Sequence, residues 1–147
     1  MSSTWIQEGI SIFESRINKY IKFSLKVLPD IKNSKSLSKN DIKAEEGRQI
    51  IENIQTSDLV VLMDERGKEF TSRELSEWFQ KQMNTGRKRI VLIIGGPYGF
   101  SEEVYKRSDV KIALSKMTFT HEMAKLILVE QIYRSMTILR GEPYHHD

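Results

Sequence analysis

The stretch RIVLIIGGPYGFSEEVY, from Arg89 to Tyr105, joins a run of apolar, mostly β-branched residues to two adjacent glycines and a proline. This pattern predicts a buried strand, a tight turn and a short helix that begins near Ser101, with Glu102 and Glu103 in its first turn. A glycine turn after a buried strand lets the backbone approach a ligand closely. Its spacing is neither the dinucleotide fingerprint G-x-G-x-x-G nor the phosphate loop G-x-x-x-x-G-K-[ST]. The loop therefore indicates a cofactor site of another kind.

Two further apolar strands are predicted on either side of this stretch, in DLVVLMDERG (58–67) and VKIALSKMTFT (110–120). Between them, Thr71 and Glu74 have capping-box spacing for a helix. A long helix, apolar nearly all round, follows from His121. Strands that alternate with helices predict an α/β fold with a mostly parallel sheet and helices on both faces. Ligands bind at the carboxyl ends of such strands, so the loops MDERG, GGPYGF and SKMTFTH compete for one site.

The amino-terminal half gives weaker patterns. Thr4 and Gln7 have capping-box spacing, and isoleucines at alternating steps of four and three predict a helix face. Residues 23–27 alternate between apolar and polar and predict a strand that ends before Pro29. A second helix is predicted over residues 41–54. The absence of repeats and linkers indicates a single domain, 1–147.

Composition limits the class of protein. The chain has 147 residues, of which 39% are hydrophobic and 29% charged, as expected for one globular domain. It has no cysteine, which excludes disulfides and thiolate sites. With no apolar run of about 20 residues and no leader pattern, a cytoplasmic protein is expected.

Charge gives little evidence about partners. The formal net charge is +3, compatible with nucleic acid but weak evidence for it. Lysines cluster in the polar segment 32–43, and basic residues cluster again at 87–89; either cluster could contact phosphates or be solvated surface.

Four segments carry a resemblance to a known family: LMDERGKEFTS, VLIIGGPYGFS, ALSKMTFTHEMAKLILVEQIYRSM and RGEPYHH. They resemble the ribosomal large-subunit methyltransferase H family, of the SPOUT or α/β-knot class. The amino-terminal half resembles it more loosely, through Glu46 and Gly47. The resemblance implies a homodimeric enzyme that uses S-adenosylmethionine to methylate N3 of a pseudouridine in large-subunit (23S) ribosomal RNA within the assembled ribosome. It also implies a carboxyl-terminal trefoil knot.

The resemblance implies roles for individual residues. The cofactor pocket would be formed by Met63, Gly95, Gly96 and the knot loop Ser115, Lys116, Met117, Thr118, Phe119 and Thr120. The residues that face the target base would be His121, Tyr144 and His145, and which of them takes the proton stays open. No metal is required.

Several of these residues have structural alternatives. His121 could cap or be buried, and a tail with Tyr144 and His145 could be a frayed end. Arg134 and Arg140 are candidate RNA contacts, although Arg134 could instead pair with Glu130 on its own helix, and Arg140 could complement the helix dipole. Adjacent carboxylates at 64 and 65 are expected to face opposite ways rather than form a pair.

One departure from the family concerns the amino terminus. Members open with a strand of the type M-K-x-x-L-L-x-V-G-K, whereas this chain begins MSSTWIQEG. The predicted domain 1–147 is therefore expected to lack the first strand of the family sheet.

Three other functions are alternatives to this one. A nicotinamide oxidoreductase would need G-x-G-x-x-G after the first strand, whereas the glycine loop of this chain comes later and has a different spacing. A knotted RNA-binding or assembly factor without catalysis, and a knot methyltransferase that acts on another RNA, both stay open.

Overall fold

The computed structural model describes residues 3–147; Met1 and Ser2 of the predicted domain lie outside the described residues. The elements, in chain order, are α1 (Thr4–Ile17), α2 (Lys39–Glu52), β1 (Leu59–Glu69), α3 (Ser72–Asn84), β2 (Ile90–Ile94), α4 (Glu102–Arg107), β3 (Val110–Ala113) and α5 (His121–Leu139). A short 3₁₀ turn, Ser34–Ser36, precedes α2.

The three strands form one parallel sheet in the order β2-β1-β3. In the register between β1 and β2, Leu59 lies opposite Ile90 and Met63 lies opposite Ile94. Because the strands are parallel, the loops that follow them emerge at one edge of the sheet. This arrangement confirms the predicted α/β fold and places the glycine loop and residues 115–120 at one edge. The predicted loop MDERG (63–67) is wrong, because these residues lie within β1.

Helices cover both faces of the sheet, as predicted. Val61 faces a core formed with α1, α3 and α5, whereas Val60 and Leu62 face a second core formed with α2 and α4. All three strand residues are fully buried. The alternation follows from the period of two along a strand.

The two predicted capping boxes have different outcomes. The Thr71 hydroxyl accepts the Glu74 N–H, and the Glu74 carboxylate accepts the Thr71 N–H, so this box is confirmed. The box predicted at Thr4 and Gln7 is wrong, because the helix begins one residue earlier than that box requires. Ser3 is the N-cap residue, and Thr4 already lies inside α1.

The strand predicted over residues 23–27 is also wrong. The segment has no regular secondary structure and pairs with no strand in the described part of the chain. Two of its backbone donors bond to side chains instead: the Phe23 N–H donates to Asn18 Oδ1 (3.0 Å), and the Leu25 N–H donates to Glu14 Oε2 (3.3 Å). Val27 is left 69% exposed. An alternating pattern makes a strand only where a neighbouring strand supplies the ladder.

Within residues 3–147, no helix has both the length and the apolar character needed to cross a membrane.

Candidate functional site

The glycine loop follows β2 directly and closes as a turn. The Gly99 N–H donates to the Gly96 carbonyl (3.1 Å), and Gly99 has a φ of 81°, in the left-handed region that favours glycine. Pro97 and Tyr98 occupy the corners of this turn. At Gly95, a Cβ would lie 3.0 Å from the ring of Phe100, so the loop backbone packs directly on that ring.

Glu46 of α2 lies against the other glycine of this loop. A Cβ on Gly96 would fall inside the contact distance of both carboxylate oxygens of Glu46. Glu46 Oε1 is fully buried and has no hydrogen-bond partner among the described residues. Burial raises the pKa of the Glu46 carboxyl, and the nearby charge of Asp30 adds to this. A buried carboxylate oxygen without a donor is costly, so the position indicates a functional constraint.

Sequence reasoning matched Glu46 only loosely and assigned it no role. The available signal was its neighbour Gly47, which is buried in the middle of a helix. A Cβ on Gly47 would collide with the Ser101 side chain at the start of α4. The close approach of α2 to α4 through Gly47 is what brings Glu46 over the glycine loop.

The first strand has a bulge at the site. Met63 pairs with both Ile94 and Ile112, after which the register to β3 shifts, so that Lys68 lies opposite Ile112 again. Residues 64–67 are therefore outside the regular ladder. Met63 lies where all three strands meet, next to the glycine loop.

Gly67, within the bulge, is a second residue that sequence reasoning missed. A Cβ there would lie 2.6 to 2.8 Å from backbone atoms of Lys111 and Ile112. After the bulge, β1 pairs with β3 again, and the two backbones pack so closely at position 67 that only glycine fits there.

The two carboxylates of the bulge face different partners, as expected. Asp64 accepts hydrogen bonds from the Tyr105 hydroxyl (2.5 Å) and the Arg66 N–H (2.9 Å). Burial alone would raise the pKa of Asp64, but these hydrogen bonds and the Arg66 charge outweigh it and lower the pKa. Glu65 instead accepts from the Thr118 hydroxyl (2.8 Å). The geometry does not form a two-carboxylate site.

The loop 115–120 folds back over the bulge. Besides the Thr118–Glu65 bond, Ser115 Oγ accepts the Met117 N–H (3.0 Å), and the Thr120 hydroxyl caps α5. Met117 is largely exposed. The structure thus brings this loop, Met63 and the glycine loop to one edge of the sheet.

A cavity of about 210 Å³ opens beside Met63, between the sheet, α3 and α5. Its wall is mainly apolar, with the Ser72 hydroxyl donating to Gln131 Oε1 (2.7 Å) at its rim. An apolar cavity with a few polar groups is the usual form of a small-molecule site. Met63 is the member of the predicted cofactor set that lines it; Gly95, Gly96 and residues 115–120 do not.

The carboxyl-terminal tail packs on α5 of its own chain. The Tyr144 hydroxyl donates to Glu130 Oε2 (2.8 Å), and the Arg134 guanidinium lies 3.1 Å from His145 Nδ1. Burial, and then the hydrogen bond to Glu130, raise the pKa of Tyr144. Asp147 ends the tail in an ion pair with Arg73 (2.7 Å). The alternative of a frayed end is therefore wrong.

The three residues predicted to face the target base are not brought together within one chain. His121 opens α5 and is 64% exposed, and its imidazole lies 3.4 Å from Glu122. Glu130, which holds Tyr144, lies nine residues further along the same helix, or about 13 Å at 1.5 Å per residue. His121 and the tail therefore contact different parts of α5.

The two arginines predicted to contact RNA both have intramolecular partners. Arg134 pairs with Glu130 (2.8 Å), the alternative that sequence reasoning left open, and stacks over Tyr144. Arg140 follows the end of α5 as its C-cap and lies 5.0 Å from the centre of the Tyr20 ring. RNA contact by either arginine stays a prediction.

Metal ligands do not gather in the described part of the chain: no three His, Cys, Asp or Glu side chains lie close enough to hold an ion.

Comparison with known proteins gives consistent matches over nearly the whole sequence. The family described as "Predicted SPOUT methyltransferase" matches residues 1–145. A protein of Christiangramia forsetii named "Ribosomal RNA large subunit methyltransferase H" is 56% identical over 93% of this chain and 87% of its own length. Proteins of the same name from Parabacteroides distasonis (54% identical, 95% and 89% covered) and Bacteroides thetaiotaomicron (51%, 95% and 88%) are also similar.

Proposed function

The chain belongs to the SPOUT methyltransferase family, and we propose that it methylates N3 of a pseudouridine in large-subunit ribosomal RNA with S-adenosylmethionine as donor. It is an RNA methyltransferase, like the relatives that are 51–56% identical to it over the matched residues. The observation that carries the proposal is the convergence of Met63, the glycine loop and residues 115–120 at the carboxyl edge of the sheet. That edge is where a small cofactor binds in such folds.

The residues at this edge fit a neutral, partly apolar cofactor. Gly95 and Gly96 have no side chain, so a ligand can approach their backbone closely, although the Gly96 carbonyl already accepts the Gly99 N–H. The side of each glycine that a Cβ would occupy is filled by Phe100 and Glu46. Met63 and the apolar cavity beside it supply a surface for a planar ring. When bound, S-adenosylmethionine would supply an electrophilic methyl group on its sulfonium, with the neutral thioether as the leaving group of an in-line displacement.

The residues of this chain would then position the RNA and assist the loss of one proton from the target base. The N3 of a uracil-type ring must lose its proton before it attacks, so a base or donors to the ring carbonyls are required. We assign these roles to His121, Tyr144 and His145. Because about 13 Å of helix separates His121 from the tail of the same chain, the tail would act in the site of a second copy. A homodimer is therefore part of the proposal.

Two structural features are also part of the proposal. We infer that the entire chain, 1–147, is one SPOUT domain, and that its carboxyl-terminal region forms the trefoil knot of this class. The target places the enzyme in the cytoplasm, together with ribosomes.

The test combines cofactor binding with methyl transfer. Titration of S-adenosylmethionine is expected to give saturable binding that Gly96→Val abolishes and Gly86→Ala leaves intact, since Gly86 lies in the turn after α3 with no atom near its missing Cβ. Transfer of labelled methyl to ribosomes that lack the modification is then expected, with the label at N3 of a pseudouridine. Saturable cofactor binding without transfer would instead indicate a knotted assembly factor, and label on another RNA would change the substrate.

A further inference from the structure

We propose that Tyr98 and the lysines of segment 32–43 form a docking surface for the RNA substrate, in which an unpaired base stacks on Tyr98 and phosphates contact the lysines. The proposal rests on the proposed function, because it concerns how the same enzyme holds its RNA. It defines a binding surface on the side of the glycine loop that faces α2, apart from Arg134 and Arg140.

Tyr98 is displayed at the tip of the glycine loop. It lies two residues from Gly96, in the turn closed by the Gly99 N–H, and is 41% exposed. No other aromatic ring of the described residues packs against it. The Lys39 ammonium lies 5.6 Å from the centre of its ring. An exposed aromatic ring fixed beside a cofactor wall is a natural stacking partner for a base, because every base has a π face.

The lysines surround this ring with positive charge. Segment 32–43 carries four lysines and a single acidic residue, Asp41. Lys32, Lys35 and Lys39 are exposed, and none of the four lysines forms an ion pair with a carboxylate of the described chain. The segment contains the 3₁₀ turn Ser34–Ser36, and the Ser38 hydroxyl accepts the Asp41 N–H at the start of α2.

Neighbouring carboxylates limit the direction in which a phosphate chain could run. Glu102 and Glu103 line a groove together with Lys43, and Glu45 is paired with Arg48. Two carboxylates lie near Lys32, Lys35 and Lys39 in the chain, Asp30, whose charge acts on Glu46, and Asp41, and neither forms an ion pair with these lysines. A strand of RNA would therefore run from Tyr98 toward Lys39 and Lys35, away from α4.

This combination fits nucleic acid with unpaired bases. Separated lysines match separate phosphates, and a single exposed ring matches a splayed base, as in RNA loops. Because Tyr98 is so near Gly96, the stacked base would be a close neighbour of the nucleotide that is methylated.

The experiment measures association and methyl transfer separately. Association of labelled protein with unmodified ribosomes is measured by co-sedimentation over a range of salt, for wild type, Tyr98→Ala, Tyr98→Phe, the double variant Lys35→Gln/Lys39→Gln, and Lys81→Gln. Lys81 is an exposed lysine of α3, on the opposite face of the sheet, and serves as the control. Titration of S-adenosylmethionine checks that the cofactor site is intact in each variant.

We expect Tyr98→Ala to weaken association and to raise KM for ribosomes roughly ten-fold, with kcat and cofactor binding little changed. Tyr98→Phe should stay within about two-fold of wild type, because it keeps the ring. The double lysine variant should reduce the slope of log K against log salt by about 1.5. The Lys81→Gln variant should match wild type.

Several results would overturn the inference: Tyr98→Ala equal to wild type, Tyr98→Phe as weak as Tyr98→Ala, or no association of the wild-type protein with ribosomes. Wild-type association without methyl transfer would count against the proposed function alone, since the variants would still test the surface.

Discussion

Replacing Gly96 with alanine is expected to destabilise the protein through Glu46. The new methyl group would fall within 3.0 Å of three atoms of the Glu46 carboxyl group, including Oε1 at 2.9 Å. Overpacking of this kind costs about 1–3 kcal/mol. Because the obstructing atoms are the end of a flexible side chain, we expect the lower part of that range, about 1–1.5 kcal/mol.

The assay is a double-mutant cycle followed by urea unfolding and by titration of S-adenosylmethionine. Glu46→Ala alone removes a buried carboxylate oxygen that has no partner, and should change stability by less than about 1 kcal/mol. In the Glu46→Ala background, Gly96→Ala should cost less than about 0.5 kcal/mol, because the obstruction is gone. Cofactor binding that is weakened by Gly96→Ala should be regained in the double variant.

Gly86→Ala provides the matched control. Gly86 has a φ of 79° and nothing within 4 Å of a Cβ, so alanine there is strained by its backbone alone, at about 1 kcal/mol. That cost should be identical with and without Glu46. If the cost of Gly96→Ala were also unchanged by Glu46→Ala, the contact between Glu46 and the glycine loop would not be what makes glycine necessary at 96, and the reasoning would be refuted.

Four further outcomes are expected. Gly67→Ala should cost about 3 kcal/mol or more, since its Cβ meets strand backbone that cannot move aside; thermal unfolding measures this, and a loss below 1 kcal/mol would contradict it. The Arg89 guanidinium donates to both carboxylate oxygens of the buried Asp58 (2.9 and 2.5 Å) and lowers its pKa. The stabilisation from Asp58 is therefore present above its unfolded pKa of about 3.9 and is lost as pH falls through the lower folded value. Asp58→Asn should thus lower the free energy of unfolding, measured with urea, by about 2–3 kcal/mol at pH 7 and by less at pH 3. An equal loss at both pH values would contradict this explanation. The pKa of Glu46 is raised, so the stabilisation from its carboxyl group is complete below a pH of about 4.3 and is lost as the pH rises through the folded pKa. Glu46→Gln should not lose stability in this way as the pH rises. Identical pH profiles of stability for wild type and Glu46→Gln would argue against this explanation. Tyr144→Phe removes the hydroxyl that donates to Glu130 and should lower kcat at least ten-fold without changing cofactor affinity, and an unchanged kcat would exclude a catalytic hydroxyl.

Local patterns predicted the elements of the sheet well, but failed where a competing neighbour or a missing partner decided the outcome. The Thr71–Glu74 box formed because no better cap precedes it in the chain, whereas Ser3 takes the N-cap position ahead of Thr4. Residues 23–27 have a strand pattern, but their donors bond to side chains of the preceding segment.

The candidate site was predicted where its residues lie in sequence motifs, and was missed where it depends on contacts distant in sequence. Gly95 and Gly96 stand in a recognisable loop, but Glu46, which packs against Gly96, comes from a helix fifty positions earlier. Gly67 is needed only because β1 leaves its register and returns to β3. The bulge has no specific local signature, and Gly47 indicates a close approach of α2 to another element without identifying the loop that Glu46 contacts.

The distribution of charge explains why a net charge of +3 was poor evidence about RNA. Arg134 is held by Glu130 and the tail, and Arg140 lies on Tyr20, so part of the basic charge is used inside the chain. The lysines of segment 32–43 have no such partners, and they lie on the side of the sheet where the glycine loop presents Tyr98. Long-range attraction to RNA depends on local potential rather than on the total, so a small excess concentrated beside the cofactor edge is more effective than a larger one spread over the surface. The proposed RNA surface thus lies at Tyr98 and segment 32–43, while contact by Arg134 and Arg140 at the end of α5 stays a prediction.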